Sequence, residues 1–522
     1  MVFLIYSLKP ESRTYKSIRN GIVALVFYAF NLLISFVSRK VFLNHLGTEV
    51  LGLNTTAASL LQFLNLAELG IGTAIGVTLY KPLAEKDQQA INEIVSLQGW
   101  FYRRVAFVIL LAAGILMLFF PRIFSGTDLP IWYAYATFSV MLLGALISYL
   151  FTYRQIVLSA NQQQYLITRT YSTCQLVKVV FQILAVSTFK NGYAWWLILE
   201  FVFTLISNWM LNWQIKKTCP GLTTDLSRGA LLKKKYPDVL KKVKQLFIHM
   251  ISSFVLMQSS PLIIYAYASL TMVTEYTNYS LITASLLTFL NTIFNGINAG
   301  VGNLITDNNI IRTKRVFEEL FSSRFLIVAT ITYCYFILAT PFISIWLGPE
   351  HSLNQYVVLF LALLFFIRST RQVIDSFINA YGLFFDIWAP AVEAALNIGC
   401  SILFGYFWGL QGILGGVLIS QLFMYLWKPI LLFTYGFKES VYHYFLLLLK
   451  HLFFIVIAIL LVYYLSHLFP FNPSDGFWQF FVAGTLLAMS FFFVLCLLQC
   501  ATEQGTRDFI DRMWNQVIRK RA

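Results

Sequence analysis

Arg368, Arg371 and Asp375 stand at i, i+3 and i+7 in the stretch FLALLFFIRSTRQVIDSFINAYG, and Asn379 continues the line at i+11. That spacing puts all four on one face of a helix. The surroundings are apolar enough to lie in a bilayer, where each ionisable side chain costs about 2.5–3.5 kcal/mol at mid-depth. Such residues are kept for a partner or for a function. Lys178, Glu68, Glu200 and the pair Glu393/Asn397 are set in comparably apolar runs, and Arg39 and Lys40 lie towards one end of another. Fixed cations in a hydrated cavity suit an anion, and arginine forks pair well with phosphate or diphosphate. Plainer readings stand beside this one. Arg371 and Asp375 could simply join helices, Glu68 could be a hydrogen-bonded strut beside Gly70 and Gly72, and Lys40 could snorkel to the interface. Lys178 has no partner close by in sequence, which points it towards a cavity.

The elements that must hold these residues follow from composition. Of 522 residues, 58% are hydrophobic and 12% charged, with mean hydropathy +0.70; a soluble chain carries roughly a quarter charged residues. The pattern is that of an all-α polytopic membrane protein. Fourteen stretches reach the roughly 20 residues of a spanning helix, near 21–43, 55–80, 102–120, 131–152, 171–189, 194–213, 246–268, 276–306, 325–347, 355–380, 387–408, 412–434, 443–468 and 477–499. The first follows a basic N-terminus but is too long for a signal h-region, so it is expected as a retained span. The second and eighth are over-long and rich in glycine (Gly70, Gly72, Gly76; Gly296, Gly300, Gly302), and each is expected to break or bend there. With the N-terminus inside, 30 of the 38 Lys and Arg fall on inner segments and four on outer ones. This bias sets both termini on the cytoplasmic side and accounts for the +15 net charge without nucleic acid.

SLLQFLNLAELGIG from Ser59 is echoed by SLLTFLNTIFNGIN from Ser285, an offset of 226. Without a gap, residues 48–96 share 14 identities with residues 274–322, including Asn65/Asn291, Gly70/Gly296 and the Thr-Glu pairs at 48–49 and 274–275. Convergence on Leu and Phe does not explain those polar matches, so duplication is the better reading. Six spans separate the copies, an even number, so both enter the membrane from the same side as parallel repeats. The expected organisation is a six-helix bundle over 1–215, a basic cytoplasmic linker over 216–245 and a second six-helix bundle over 246–435. An added helix pair over 436–500 and an amphipathic cytoplasmic tail over 501–522 follow, and the two bundles enclose a central cavity. The linker contains KKKYPDVLKKVK, which suits either a solvated positive-inside segment or a site for lipid headgroups or a partner. In the tail Phe509, Ile510, Met513, Trp514, Val517 and Ile518 form a stripe suited to the headgroup layer.

What is missing narrows the chemistry. There is no phosphate-cradling G-x-x-x-x-G-K-[ST], no H-E-x-x-H and no G-x-S-x-G. The outer connections are short, so an enzyme is disfavoured, a sugar-joining polymerase or ligase included. The six cysteines form no C-x-x-C pair and read as small apolar residues, and nothing implies a cofactor or a metal.

The segment LNHLGTEVLGLNTTAASLLQFLNLAELGIGTAIGVTLYKPLAEKD (43–87) resembles the opening of the Wzx-type O-antigen and polysaccharide flippases. These belong to the multidrug/oligosaccharidyl-lipid/polysaccharide exporter superfamily. ANQQQYLI (160–167), PFISIWLGPEHSLN (341–354), INAYG (378–382), PAVEAALNIGCSI (390–402) and GLQGILGGVLIS (409–420) extend the resemblance over about residues 15–435. Singly these phrases are soft; their order and spacing are specific. The resemblance implies two bundles around a V-shaped cavity. It also implies translocation of an undecaprenyl-diphosphate-linked oligosaccharide across the bacterial inner membrane by alternating access. Its implied partners are that substrate, membrane lipids, and the polysaccharide polymerase and ligase machinery. Glu393 and Asn397 match the family's P-x-x-E-x-x-x-N phrase and Glu68 its E-L-G-I-G phrase; Arg368 and Arg371 match no family motif. The expected substrate-binding set is Lys178, Arg368, Arg371, Asp375, Arg39, Glu68, Glu393 and Asn397. The competing expectation is a cation-coupled exporter of drugs or metabolites, for which the acids Glu68, Glu200, Asp375 and Glu393 would be the working groups.

Overall fold

A backbone in lipid must satisfy its own hydrogen bonds, which leaves helices as the spanning element for a chain of this hydropathy. A computed structural model describes residues 13–511, apart from 69, 307–308, 384, 387, 467–471 and 509. Its regular secondary structure among the described residues is helical, with these long helices: α1 (Arg13–Leu46), α2 (Thr48–Leu64), α3 (Ile71–Glu85), α4 (Gln88–Leu118), α5 (Trp132–Ile147), α6 (Gln164–Thr188) and α7 (Gly192–Thr218). There follow α8 (Pro237–Tyr267), α9 (Leu270–Thr306), α10 (Ile310–Trp346), α11 (Gln355–Tyr381), α12 (Trp388–Leu431), α13 (Tyr442–Ser466) and α14 (Phe477–Thr502). Each expected span overlaps at least one of them. Among the described residues nine helical segments are long and apolar enough to cross a membrane by length and composition. The all-α, polytopic membrane architecture is therefore the one the composition requires.

Helix starts and stops follow local chemistry. The side chain of Asp87 accepts from Ala90 N at 2.9 Å to open α4, and Asn309 and Asn354 cap α10 and α11 in the same way. Gly382, at φ 69, closes α11 in the left-handed conformation that a side chain disfavours. The second expected span is broken as anticipated: α2 ends in a 3-10 turn, Asn65–Glu68, and Gly70 (φ 86) starts α3. Its partner in the repeat is not broken. Helix α9 runs through Gly296, Gly300 and Gly302 without interruption, because glycine permits a break without demanding one. The two expected spans at 387–408 and 412–434 are the halves of α12, folded at Gly409 (φ 56).

Contacts divide the chain into two compact units, 1–274 and 275–522, with the division inside α9. Helix α8, placed by the sequence at the start of the second bundle, is counted with the first unit. In the N-terminal unit α1 packs along α6, α6 on α7, α2 on α5 and α3 on α4. The basic linker is partly docked there. Lys235 Nζ and Tyr236 Oη bond Glu93 Oε2 at 2.6 and 2.7 Å, and a Cβ at Gly229 would collide with the Trp100 ring. In the C-terminal unit α11 packs between α10 and α12. The added pair α13 and α14 belongs to this unit's aromatic core, with Tyr333 of α10 stacked on Phe491 of α14 at 4.4 Å. Phe509, Met513, Trp514, Val517 and Ile518 of the expected tail stripe, and Lys9 of the N-terminus, lie outside the described residues.

Candidate functional site

In the C-terminal unit the fold at Gly409 brings both halves of α12 against α11. A Cβ at Gly412 would run into the carbonyl of Phe404, and one at Gly416 into the backbone of Ser401, so the halves touch backbone to backbone. Glu393 comes from the first half and Gln421 from the second. Arg371 of α11 meets both: Nη1 lies 3.5 Å from Glu393 Oε1 and 3.4 Å from Gln421 Oε1, while Nε lies 3.3 Å from Asp375 Oδ2. Gln421 Nε2 in turn donates to Glu393 Oε1 at 3.2 Å. One turn along, Asn397 Nδ2 is 3.5 Å from Ser420 Oγ. These contacts are longer than a tight two-point Arg–carboxylate fork, but they give Arg371 two acids. It is a tie between three helical segments.

Arg368 differs. It is half-buried and makes no hydrogen bond or ion pair among the described residues. A third arginine, Arg324, lies just outside the span expected at 325–347 and yet belongs to this core. Helix α10 starts well before it, and Arg324 is only 4% exposed. Its Nε donates to Ser369 O at 2.6 Å, its Nη2 bonds the side chains of Gln372 and Asn291, and its guanidinium lies 4.4 Å from the Phe294 ring centre. All these partners are neutral. Three cations (Arg324, Arg368, Arg371) thus face two acids (Asp375, Glu393), leaving a formal excess of one positive charge in a low-dielectric setting.

In the N-terminal unit Lys178 is not a lone cation. Its Nζ lies 2.7 Å from Glu200 Oε1, and Gln182 Nε2 holds the other oxygen at 3.1 Å while also donating to Trp196 O. The partner was invisible locally because it sits 22 residues away on α7. The pair borders a cavity of about 650 Å³ lined from α1, α5, α6 and α7. A second cavity of about 350 Å³ lies at the broken helix. There Tyr102 Oη donates to Glu68 Oε1 at 2.6 Å, and Tyr149 Oη to Asn65 Oδ1 at 3.1 Å. Ser148, which begins a π-helical turn (Ser148–Thr152) after α5, lines both cavities, and such turns recur at functional sites. Arg39, on α1, is half-buried eight residues beyond Asn31, which lines the larger cavity.

A lipid II flippase MurJ in an inward closed conformation superimposes with a TM-score of 0.64 at 15% identity, over 90% of this chain and 98% of that one. The fold is that of these transporters. An inward-facing multidrug resistance MATE family transporter of the MOP superfamily aligns with a TM-score of 0.57 at 11% identity, covering 78% and 97%. A MOP superfamily transporter from Pyrococcus furiosus, described by the reverse polarity of its binding pocket, aligns at 0.52 and 13%, covering 84% and 98%. No protein-family model matches the chain, and no curated protein sequence does.

Proposed function

We propose that the chain is a flippase of the bacterial inner membrane, with both termini cytoplasmic. It moves an undecaprenyl-diphosphate-linked oligosaccharide outward by alternating access for surface polysaccharide or O-antigen assembly, delivering to polymerase and ligase machinery. The observation that carries this is Arg368, a half-buried cation without an ion pair among the described residues, standing where cations outnumber acids. A diphosphate is the counter-ion such a place lacks. The fold shared over most of both chains with a protein named as a lipid II flippase supports the same reading. Arg371, Asp375, Glu393 and Asn397 hold the helices that present Arg368. The test is vesicles of the purified protein loaded with a fluorescent undecaprenyl-diphosphate-linked oligosaccharide, with inner-leaflet label scored by quenching. Wild type should equilibrate the label, Arg368→Ala should not, and Arg368→Lys should recover part of the rate; full activity in Arg368→Ala rejects the assignment.

A second reading, a cation-coupled exporter of drugs or metabolites, is favoured by one observation: Glu68 is a half-buried acid beside a cavity, hydrogen-bonded by a tyrosine. Drug efflux abolished by Glu68→Gln, with no lipid translocation by wild type, would select it.

A further inference from the structure

We propose that the 650 Å³ cavity of the N-terminal unit is a site for uncharged sugar rings and leaves the diphosphate to the C-terminal unit; this rests on the flippase reading above. Its volume lies within the roughly 300–1,000 Å³ of small-molecule sites. Charge is the first argument. Both carboxylate oxygens of Glu200 are engaged, one by Lys178 and one by Gln182, so the charged pair on the wall sums to zero. A phosphate would have to take Lys178 from a partner at 2.7 Å, and an organic cation would have to take Glu200 from two.

Hydrogen-bonding capacity is the second. Gln175 and Ser172 line the cavity and make no hydrogen bond among the described residues. Asn31 uses its Nδ2 on Phe27 O at 2.7 Å, and its Oδ1 accepts no hydrogen bond among the described residues. These groups offer unpaired donors and acceptors together, the combination that a sugar hydroxyl, itself donor and acceptor, satisfies. The Tyr171 ring on the same wall supplies an apolar face for the C–H side of a pyranose. An apolar drug would leave the Gln175 amide and the Ser172 hydroxyl without a partner in the cavity.

The test is calorimetric titration of the purified full-length protein in a detergent without a sugar head, since alkyl glycosides would compete. Two probes are used: the free oligosaccharide released by mild acid from the host's undecaprenyl-linked pool, and inorganic diphosphate. Ser172→Ala/Gln175→Ala, which removes groups without partners and should leave the melting temperature unchanged, is expected to weaken oligosaccharide binding about tenfold or more and leave diphosphate binding intact. Arg368→Ala should do the reverse. Oligosaccharide binding that is absent in wild type, or unchanged in the double variant, overturns the sugar site. Loss of diphosphate binding in the double variant overturns the division of labour. Neither of those results touches the flippase reading, which fails separately if wild-type vesicles do not translocate the lipid-linked substrate.

Discussion

Arg371 illustrates how an intramembrane charge can be structural and still serve a site. Removing it leaves Glu393, 4% exposed, with a hydrogen bond from Gln421 and no ion-pair partner among the described residues, and an uncompensated buried charge costs about 3 kcal/mol or more. Arg371→Ala should therefore lower the melting temperature in micelles sharply. Arg371→Ala/Glu393→Gln should recover most of the loss, because the orphaned charge goes with its partner; equal destabilisation by both would mean that Arg371 acts through packing. A second residue-scale prediction concerns Glu503, just beyond α14 and 5% exposed. Burial pushes its carboxyl from 4.5 up to about 7, against the opposing pull of Lys450 at 3.9 Å; Glu318 adds to the rise. His451 Nδ1 must donate to Leu447 O, which leaves Nε2 a lone pair 3.2 Å from Glu503 Oε2. A protonated Glu503 supplies the missing donor. A raised acid pKa stabilises the fold below the unfolded value and loses that contribution as pH climbs from 4.5 through about 7, by no more than about 3 kcal/mol. Thermal stability should fall across that window in wild type and stay flatter in Glu503→Gln. Of these pairings, only Arg371–Asp375 could be read from i,i+4 spacing; Glu393, Gln421 and Glu200 meet their partners through folds at Gly409 and between α6 and α7 that no local pattern encodes.

At the scale of elements, glycines decide which segments can approach. The turn between 408 and 412 was legible because the phrase G-L-Q-G interrupts an apolar run, but the contact it creates was not. Gly412 and Gly416 lie against Phe404 and Ser401 of the other half of α12, a tertiary meeting invisible in a one-dimensional pattern. Gly416→Leu should force the halves apart, cost about 1–3 kcal/mol as overpacking does, and draw Gln421 away from Glu393. Gly21→Ala, where nothing lies within 4 Å, is the matched control and should be neutral. If Gly416→Leu melts and transports like wild type, the close approach has no mechanical role. The repeat shows the converse limit. Gly70 and Gly296 align, yet only the first copy breaks, and the break presents Glu68 to Tyr102. The aligned position in the second copy is Phe294, which has no polar end to present. Glycine content marked where a break was affordable; the side chain the break serves decided whether it occurred.

For the molecule as a whole, the duplication is preserved in contacts and reversed in charge. Glu49 accepts from Thr127 at 2.9 Å and Glu275 pairs with His351 at 2.9 Å, so in each unit the glutamate of the Thr-Glu pair is tied to a later connection between helices. Asn65 takes a hydrogen bond from Tyr149, and its repeat partner Asn291 takes one from Arg324. At the same offset of 226, Gln98 aligns with Arg324 and Glu68 with Phe294. The N-terminal copy thus carries a half-buried acid and a buried amide where the C-terminal copy carries a ring and a buried cation. The sequence exposed the duplication through its matched residues. Arg324 escaped notice because it follows Arg312, Lys314 and Arg315 in what reads as a basic inner segment, and only the early start of α10 carries it into the core. Its bond to Ser369 O fixes α11 directly beside Arg368, and its charge supplies the positive excess of that unit. These two contributions separate in Arg324→Gln, which installs the residue type of the aligned position. The amide can still reach towards α11, so the fold should survive with a melting temperature close to wild type. Inorganic diphosphate should bind about tenfold more weakly, equivalent to roughly 1.4 kcal/mol, and its binding should depend less on salt. Arg324→Ala should lose stability as well. If Arg324→Gln binds diphosphate as wild type does at every ionic strength, Arg324 is a strut for α11 and the anion is held by Arg368 without its help.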